Sequence, residues 1–452
     1  MSNANHIVAV FGGAVSGAEA AFQLAERGIT TIVFDQNILP YGKIEDGLPK
    51  WHAKLRDKEE GKINEKLSHP NIHFVPGVKL GKDIDFEEVA REWGFSAVLL
   101  AIGAWRDRPL SIPDINDYVG KGLTYQNPLI YWYNHKHEPN YNGPTYEIHD
   151  ESIIIGGGLA SLDVAKVIMF ELVEKALAER GHEVNLFTLD RSIAKVLDAL
   201  GFTLEDLGIK GCTLYYRRRI KDMPLSPLPS DTPEQLEKAE RVREKIFNNY
   251  QSKYLFNMEP CHVPVDKIVE EGQLVGLIMQ ETRIENGKVV PIPGSEKEVR
   301  GPEVIASIGS IPEVINGIPM QWQVYKVIPE ECCRIDGFSN VFALGNAVTG
   351  RGNIKESLQH GRETSLATAE RYLSESSTYE SGYRMAEANV DHQLGNVSSK
   401  IERLTMPSTD QKEYIMQKVK TLQQKIGYKG DFKAWVAEHL PPRLEDMIIG
   451  GH

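Results

Sequence analysis

Two stretches of this chain share one grammar: an apolar run, a cluster of glycines, then a segment with helical character. The first, HIVAVFGGAVSGAEAAFQLAERG, begins at residue 6; the second, ESIIIGGGLASLDVAK, spans 151–166. A continuous apolar run before a glycine turn reads as a strand buried on both faces, as in a parallel sheet. Glycines permit the tight turn, and the helix beyond presents free N–H groups and about half a positive charge. An anionic pyrophosphate suits such a corner. A chain that builds it twice is directed to an α/β fold with two nucleotide-binding halves.

The first turn supplies Gly12 and Gly17, with Ala14 where the dinucleotide fingerprint has its second glycine. Asp35 ends the following apolar run, 18 residues beyond Gly17, where an acid accepts hydrogen bonds from an adenosine ribose. The second turn supplies Gly156 and Gly158, then Leu159 and Ala160 opening the helix, with Ser161 in the third glycine's place. Further on, GCTLYYRRRIKDMP sets Arg217, Arg218 and Arg219 at the end of an apolar strand. An acid there selects a free ribose hydroxyl, whereas arginines select a 2′-phosphate, so the reading is NADP rather than NAD.

Between and beyond these turns, FSAVLLAIGA (95–104) and EVIASIGS (303–310) read as buried strands ending in glycine. Residues 127–143, rich in aromatics, Asn and His, read as a connector between domains. Thr232, Pro233 and Gln235 have the pattern of an N-cap, a first-turn proline and the return half of a capping box, starting a helix to about Tyr250. Two strands follow, in CHVPVDKIVEE and QLVGLIMQETRIE. Near the C-terminus, Ile415, Val419, Leu422 and Ile426 share one helical face between a Ser408 cap and Gly427. A shorter helix runs from Asp431 to Leu440. These helices read first as packing on their own domain, and second as a subunit or partner interface.

The net charge of −12 gives no overall attraction to nucleic acid or anionic lipid. No secretory signal and no apolar run of about 18 residues is visible, so a cytoplasmic protein without membrane association is expected. Cys212, Cys261 and the adjacent Cys332–Cys333 form no C-x-x-C, which disfavours a zinc site, an iron–sulfur cluster and an internal redox disulfide. The adjacent pair reads as reduced thiols, with a vicinal disulfide as the alternative. His52, His262 and His360 are candidate proton donors, but lone histidines are first read as structural.

The motif order FGGAVSG, LLAIGA, IIIGGGLASLD, LYYRRRIKDMP, IASIGS and VFALGNAVTGRGNI resembles flavoproteins with two dinucleotide-binding domains. Among them it is most similar to adrenodoxin-type ferredoxin–NADP reductases and the glutamate synthase small subunit, over roughly residues 5–370. The resemblance implies two Rossmann-like domains: an FAD-binding domain formed by residues 1–135 and 325–375, an inserted NADP-binding domain at 145–324, and a C-terminal helical extension at 376–452. It implies that Gly12, Ala14, Gly17 and Asp35 hold the adenosine half of FAD, and that Tyr41, Gly42, Lys43 and Gly103 lie beside the flavin. Gly345, Asn346, Gly352, Asn353 and Ile354 would meet the ribityl chain and ring, with Asn346 standing where the superfamily usually has Asp. Gly156, Gly158, Leu159, Ala160 and the three arginines would hold NADPH.

The implied activity is that of a cytoplasmic oxidoreductase: hydride transfer from NADPH to flavin, then electron transfer to a ferredoxin-like iron–sulfur protein. The alternatives are the electron-input subunit of a larger redox complex, docked or oligomerised through the C-terminal helices, and an inactive nucleotide-binding scaffold. No catalytic side chain and no metal is assigned, because the cofactors carry the reaction. Ferredoxins are acidic, so a docking face would be basic. Lys43, Lys50, Lys54, Arg56 and Lys58, with Arg351, Lys355 and Arg362, are the candidates for it. The cysteine-rich N-terminal segment of glutamate synthase small subunits is absent, and GNAVTGRGN replaces the usual adrenodoxin-reductase ending.

Overall fold

The computed structural model describes residues 5–350, 352–374 and 404–449. The chain divides into two compact units, Met1–Glu45, Lys54–Arg106 and Ser310–Pro441 in the first, Asp46–Ala53, Asp107–Gly309 and Pro442–His452 in the second.

The first unit is organised on a sheet in the order Val327–Ile328, Arg334–Ile335, Val341–Ala343, Ala97–Leu100, Ile7–Phe11, Thr30–Phe34, Ile72–Val75. The last five of these run parallel to one another. Their apolar runs are continuous because both faces are covered. Val8 and Val10 pack on one side with Ala18, Ala21 and Leu24 of the helix Val15–Ala25. Ile7, Ala9 and Phe11 pack on the other, where the Phe11 and Phe34 rings stack at 4.8 Å.

Two of the C-terminal helices belong to this unit; a third, Leu444–Ile449, falls in the second. Thr409–Ile426 opens with a Ser408–Gln411 capping box and ends at a left-handed Gly427, as its sequence pattern predicts. Ile415 and Val419 are fully buried in the core behind the sheet, and Gln423 Nε2 donates to the Phe74 carbonyl at 2.7 Å. Phe432–His439, capped by Asp431, inserts Phe432, Trp435 and Val436 into the other core, where Trp435 Nε1 donates to the Ile38 carbonyl. Their apolar faces are thus covered by their own unit, in keeping with the first of the two readings. The segment 375–403, the start of the expected extension, lies outside the described residues.

The second unit carries a parallel sheet in the order Leu123–Tyr125, Val304–Ser307, Ile153–Gly156, Thr213–Tyr216, Asn257–Pro260. An antiparallel sheet of His262–Glu270, Gln273–Glu285, Lys288–Pro291 and Lys297–Arg300 adjoins it in the chain. Residues 186–207 fold as three short helices, capped by Asn185, Ser192 and Thr203. Pro233–Tyr254 is one helix behind the expected Thr232–Gln235 capping box.

One sequence expectation is corrected here. Residues 127–143 are not simply a connector: Gln126–His135 is a helix with Leu129, Ile130, Trp132 and Tyr133 buried in the core. Its proline, Pro128, falls in the first turn, where the missing N–H costs nothing. Among the described residues, no helix is long and apolar enough to cross a membrane.

Candidate functional site

In the first unit, the strand Ile7–Phe11 leads into a turn that only glycine can make. Gly12 has φ +97°, and a β-carbon there would stand 2.5 Å from the Ala101 carbonyl oxygen; one on Gly17 would stand 1.8 Å from Gly12 O. Ala14 is the N-cap of the helix Val15–Ala25 and offers no side-chain cap. Its methyl faces Gly42: a β-carbon at 42 would lie 3.0 Å from it. The extra methyl relative to the fingerprint is therefore matched by a missing one.

Asp35 is buried, and both its oxygens accept from backbone. Oδ2 takes the Gly13 N–H at 2.7 Å, and Oδ1 takes the Asn37 N–H at 2.8 Å. Gly13 was not singled out by the fingerprint, although it stands in the same glycine run. Gly345, at φ +69°, closes on the same helix, for a β-carbon there would meet Ser16 Oγ at 2.4 Å. The Gly345 N–H donates to His360 Nδ1 at 3.1 Å, which leaves the ring proton on Nε2, 3.8 Å from Cys333 Sγ. Burial lowers the His360 pKa and raises that of the Cys333 thiol, so the pair is neutral imidazole and thiol. Asn346 Oδ1 accepts from Gly352 N at 2.8 Å, and Asn353 caps the helix Ile354–Tyr372 through Glu356 N. Arg351 lies outside the described residues. Tyr41 is buried, its hydroxyl bonded to Asn64 Oδ1. Lys43 reaches Ser310 Oγ at 3.0 Å and stands 5.8 Å from the Trp105 ring centroid, and Trp105 adjoins Gly103.

In the second unit, Ile153–Gly156 leads to the helix Leu159–Ala178 through Gly156–Gly158. Gly156 has no room for a side chain beside Ser161 and Ser307, and Gly157 is covered by the Tyr216 ring. A β-carbon on Gly158, by contrast, would meet open space, and this helix too has no side-chain cap. Ser161, in the third glycine's place, donates to the Ser307 carbonyl at 2.9 Å and ties helix to strand. The long helices starting at Pro233, Ile354 and Thr409 are all capped by side chains. The helices Val15–Ala25 and Leu159–Ala178 are not, and neither is Gln126–His135.

The arginines follow the strand Thr213–Tyr216 as expected, but they are not equivalent. Arg219 is held in a two-pronged pair with Asp222, both contacts at 2.8 Å. Arg217 and Arg218 have no side-chain hydrogen bond or ion pair among the described residues, and their carbonyls are pinned by Thr282 Oγ1 and Cys261 N. His262 Nδ1–H donates to Pro260 O, which marks it as structural. All four cysteines are free.

The proposed basic face loses two members. Lys50 is buried in the second unit, 4.4 Å from the Tyr133 ring centroid, and burial followed by the nearby Lys136 brings its amine down to about 8. Arg56 is buried in the first unit and paired with Asp57 at 2.9 Å. Lys54, Lys58, Lys355 and Arg362 are exposed.

No family model matches the chain. It is 25% identical over 330 residues to NADPH:adrenodoxin oxidoreductase, mitochondrial, of Arabidopsis thaliana, covering 65% of each chain. It is 29% identical over 175 residues to a probable ferredoxin/ferredoxin–NADP reductase of Mycobacterium tuberculosis, covering 38% of this chain and 29% of the relative. A NADPH-Fe(3+) oxidoreductase subunit beta of Geobacter sulfurreducens is 24% identical over 322 residues, covering 69% and 38%. The chain thus spans less than two thirds of the length of each of these relatives. The solved structure of Mycobacterium tuberculosis FprA in complex with NADPH superposes with a TM-score of 0.63 at 17% identity, over 93% of this chain and 91% of that one. By sequence the chain is similar to the adrenodoxin-type ferredoxin–NADP reductases, and its fold is the two-domain dinucleotide-binding architecture seen in FprA.

Proposed function

We propose that this chain is an FAD-dependent oxidoreductase that takes hydride from NADPH and passes electrons to a ferredoxin-like iron–sulfur protein. The observation that carries the reading is the pair of glycine turns, one per unit. Each ends at a helix N-terminus without a side-chain cap, and each is followed by a different selector, Asp35 in the first and Arg217–Arg218 in the second. The names of the relatives support the same assignment.

The first unit fits FAD. Its helix leaves N–H donors for a pyrophosphate, and Ala14 is accommodated against Gly42. Gly12, Ala14, Gly17 and Asp35 would hold the adenosine diphosphate half. Tyr41, Gly42, Lys43, Gly103, Gly345, Asn346, Gly352, Asn353 and Ile354 are assigned to the remainder. FAD, when bound, supplies the hydride acceptor and the store from which electrons leave. The residues bind and orient: Asp35 holds the turn through Gly13, and Asn346 holds Gly352. In the second unit Gly156, Gly158, Leu159 and Ala160 would seat the NADPH pyrophosphate, while Arg217 and Arg218 bind its 2′-phosphate.

A second reading, the electron-input subunit of a larger complex, is favoured by the resemblance to the Geobacter subunit. The test of the main proposal is the flavin itself. Protein purified without added cofactor should be yellow and release FAD on acid denaturation. A colourless protein that still binds dinucleotide would instead support the inactive scaffold.

A further inference from the structure

A cleft of about 310 Å³ opens in the second unit between the segment 51–52, the helix Leu159–Ala178, Asp190 and the last turns of the helix Pro233–Tyr254. That volume is at the lower end of the range for small-molecule sites. Trp51, Tyr250 and Tyr254 give it flat aromatic walls, and Lys166, Lys253 and Asp190 give it charge.

Lys166 is an unusual floor. The residue is 2% exposed, its Nζ pairs with Asp190 Oδ1 at 2.6 Å, and it stands 4.0 Å from the Trp51 ring centroid and 4.6 Å from that of Tyr254. Asp190 is its one hydrogen-bond partner among the described residues. An ammonium has three donors, so two remain turned on aromatic faces, which return only part of a lost hydrogen bond. Trp51, also more than nine-tenths buried, has an Nε1–H with no partner. Two residues that line one cleft thus carry buried donors short of acceptors.

Charge points the same way. Lys166 and Lys253 face one lining carboxylate, Asp190. Asp163 lies one turn before Lys166 on the same helix, and burial raises its carboxyl to about 7. His52, on the rim, is held toward its neutral form by burial and by Lys166. Two lysines thus face a single carboxylate in the lining; burial pulls the Lys166 amine below its usual range, and the Asp190 carboxylate opposes that shift. An unpaired acceptor with negative charge, attached to a flat apolar body, is what it lacks.

We propose that this cleft binds a small aromatic carboxylate, its oxygens accepting from Lys166 Nζ and Trp51 Nε1 and its ring lying between the indole and the Tyr250 and Tyr254 rings. Its lining contains no residue assigned to FAD or NADPH, although His52, a candidate proton donor by sequence, stands in it.

The test is calorimetric titration of the full-length protein with benzoate, cyclohexanecarboxylate, benzamide and inorganic phosphate. Saturable 1:1 binding of benzoate is expected, at least about tenfold tighter than the other three, because only benzoate combines charge and a flat ring. Lys166→Met should weaken it about tenfold or more, and Trp51→Phe by several-fold. Should Lys166→Met fail to fold, Lys253→Met at the exposed rim gives the charge arm, with several-fold weaker binding expected. Absence of saturable benzoate binding overturns the proposal. So do equal affinity for phosphate or benzamide, or a folded Trp51→Phe variant that binds as the parent does.

Discussion

The Gly13 N–H donates to Asp35 Oδ2 at 2.7 Å, so the acid at the end of the second strand holds the glycine turn at the end of the first. One carboxylate thereby has two tasks, shaping the turn and, in the proposed function, meeting the ribose. Asp35→Ala leaves a buried N–H without its acceptor, which costs about 1–3 kcal/mol. Urea unfolding of the apoprotein should show that loss, and the flavin-to-protein absorbance ratio should fall with it. Asp35→Asn keeps one acceptor oxygen and should retain more of both. An alanine variant with unaltered stability and flavin content would separate Asp35 from the turn.

The asymmetry among the arginines is testable by cofactor preference. Replacing both Arg217 and Arg218 with Ala should raise the KM for NADPH about ten- to a hundredfold, the worth of one or two charge-assisted contacts. The KM for NADH should change little. Arg219→Ala should act less on NADPH selectivity, because that guanidinium is held by Asp222. Steady-state kinetics with both nucleotides read the difference, and equal effects of all three would remove the distinction.

His135 stands between two carboxylates, Asp46 at 3.2 Å and Glu138 at 2.6 Å. Burial lowers its pKa, but the hydrogen bonds to Asp46 and Glu138 outweigh that and hold it up at about 9. A group whose pKa is raised on folding stabilises fully below its unfolded value, near 6.5, and loses that contribution as pH rises through the folded value. Discounted for solvent screening, the amount is about 2 kcal/mol. Stability should therefore fall between about pH 6.5 and 9.5, and His135→Gln should flatten that decline. Denaturant melts across the window check it.

The C-terminal helices act as part of a core. Ile415 is fully buried, so Ile415→Ala should cost about 2–5 kcal/mol. Cutting the chain near residue 375 removes these two helices together with Leu444–Ile449, and should lower the unfolding temperature or the soluble yield whatever partner is present. A truncated protein of parental stability would contradict this and restore these helices to the role of a dock.

Charge reversal at the exposed Lys54 and Lys58, or at Lys355 and Arg362, should slow ferredoxin reduction about tenfold at low salt, with the difference shrinking as salt rises. Stopped-flow rates across a salt series measure it. Lys50 and Arg56 are unsuited to this test, because reversing a buried charge disturbs folding first.

The parts of this fold that local chemistry writes were legible. The glycine turns, the Thr232–Gln235 box and the Ser408–Gly427 limits each depend on residues within a few positions of one another. What failed depends on distance. Lys50, Lys54, Arg56 and Lys58 read as members of one basic face, and nothing local shows that Tyr133 takes in Lys50. The buried side of Arg56 is likewise set by tertiary packing, although its partners Asp57 and Glu60 are neighbours. The helix Gln126–His135 was hidden by its aromatic, Asn and His content, which favours irregular structure until Leu129, Trp132 and Tyr133 are buried. The contact of Lys43 with Ser310 and the bond from Gly345 to His360 join segments that the fingerprint does not link.

The most direct test of the central claim is an anaerobic titration of the purified yellow protein with NADPH and, separately, NADH, followed at the flavin absorbance. About one equivalent of NADPH should bleach the flavin, with NADH much weaker. A protein without recoverable flavin, or one bleached by NADH in preference to NADPH, would contradict it.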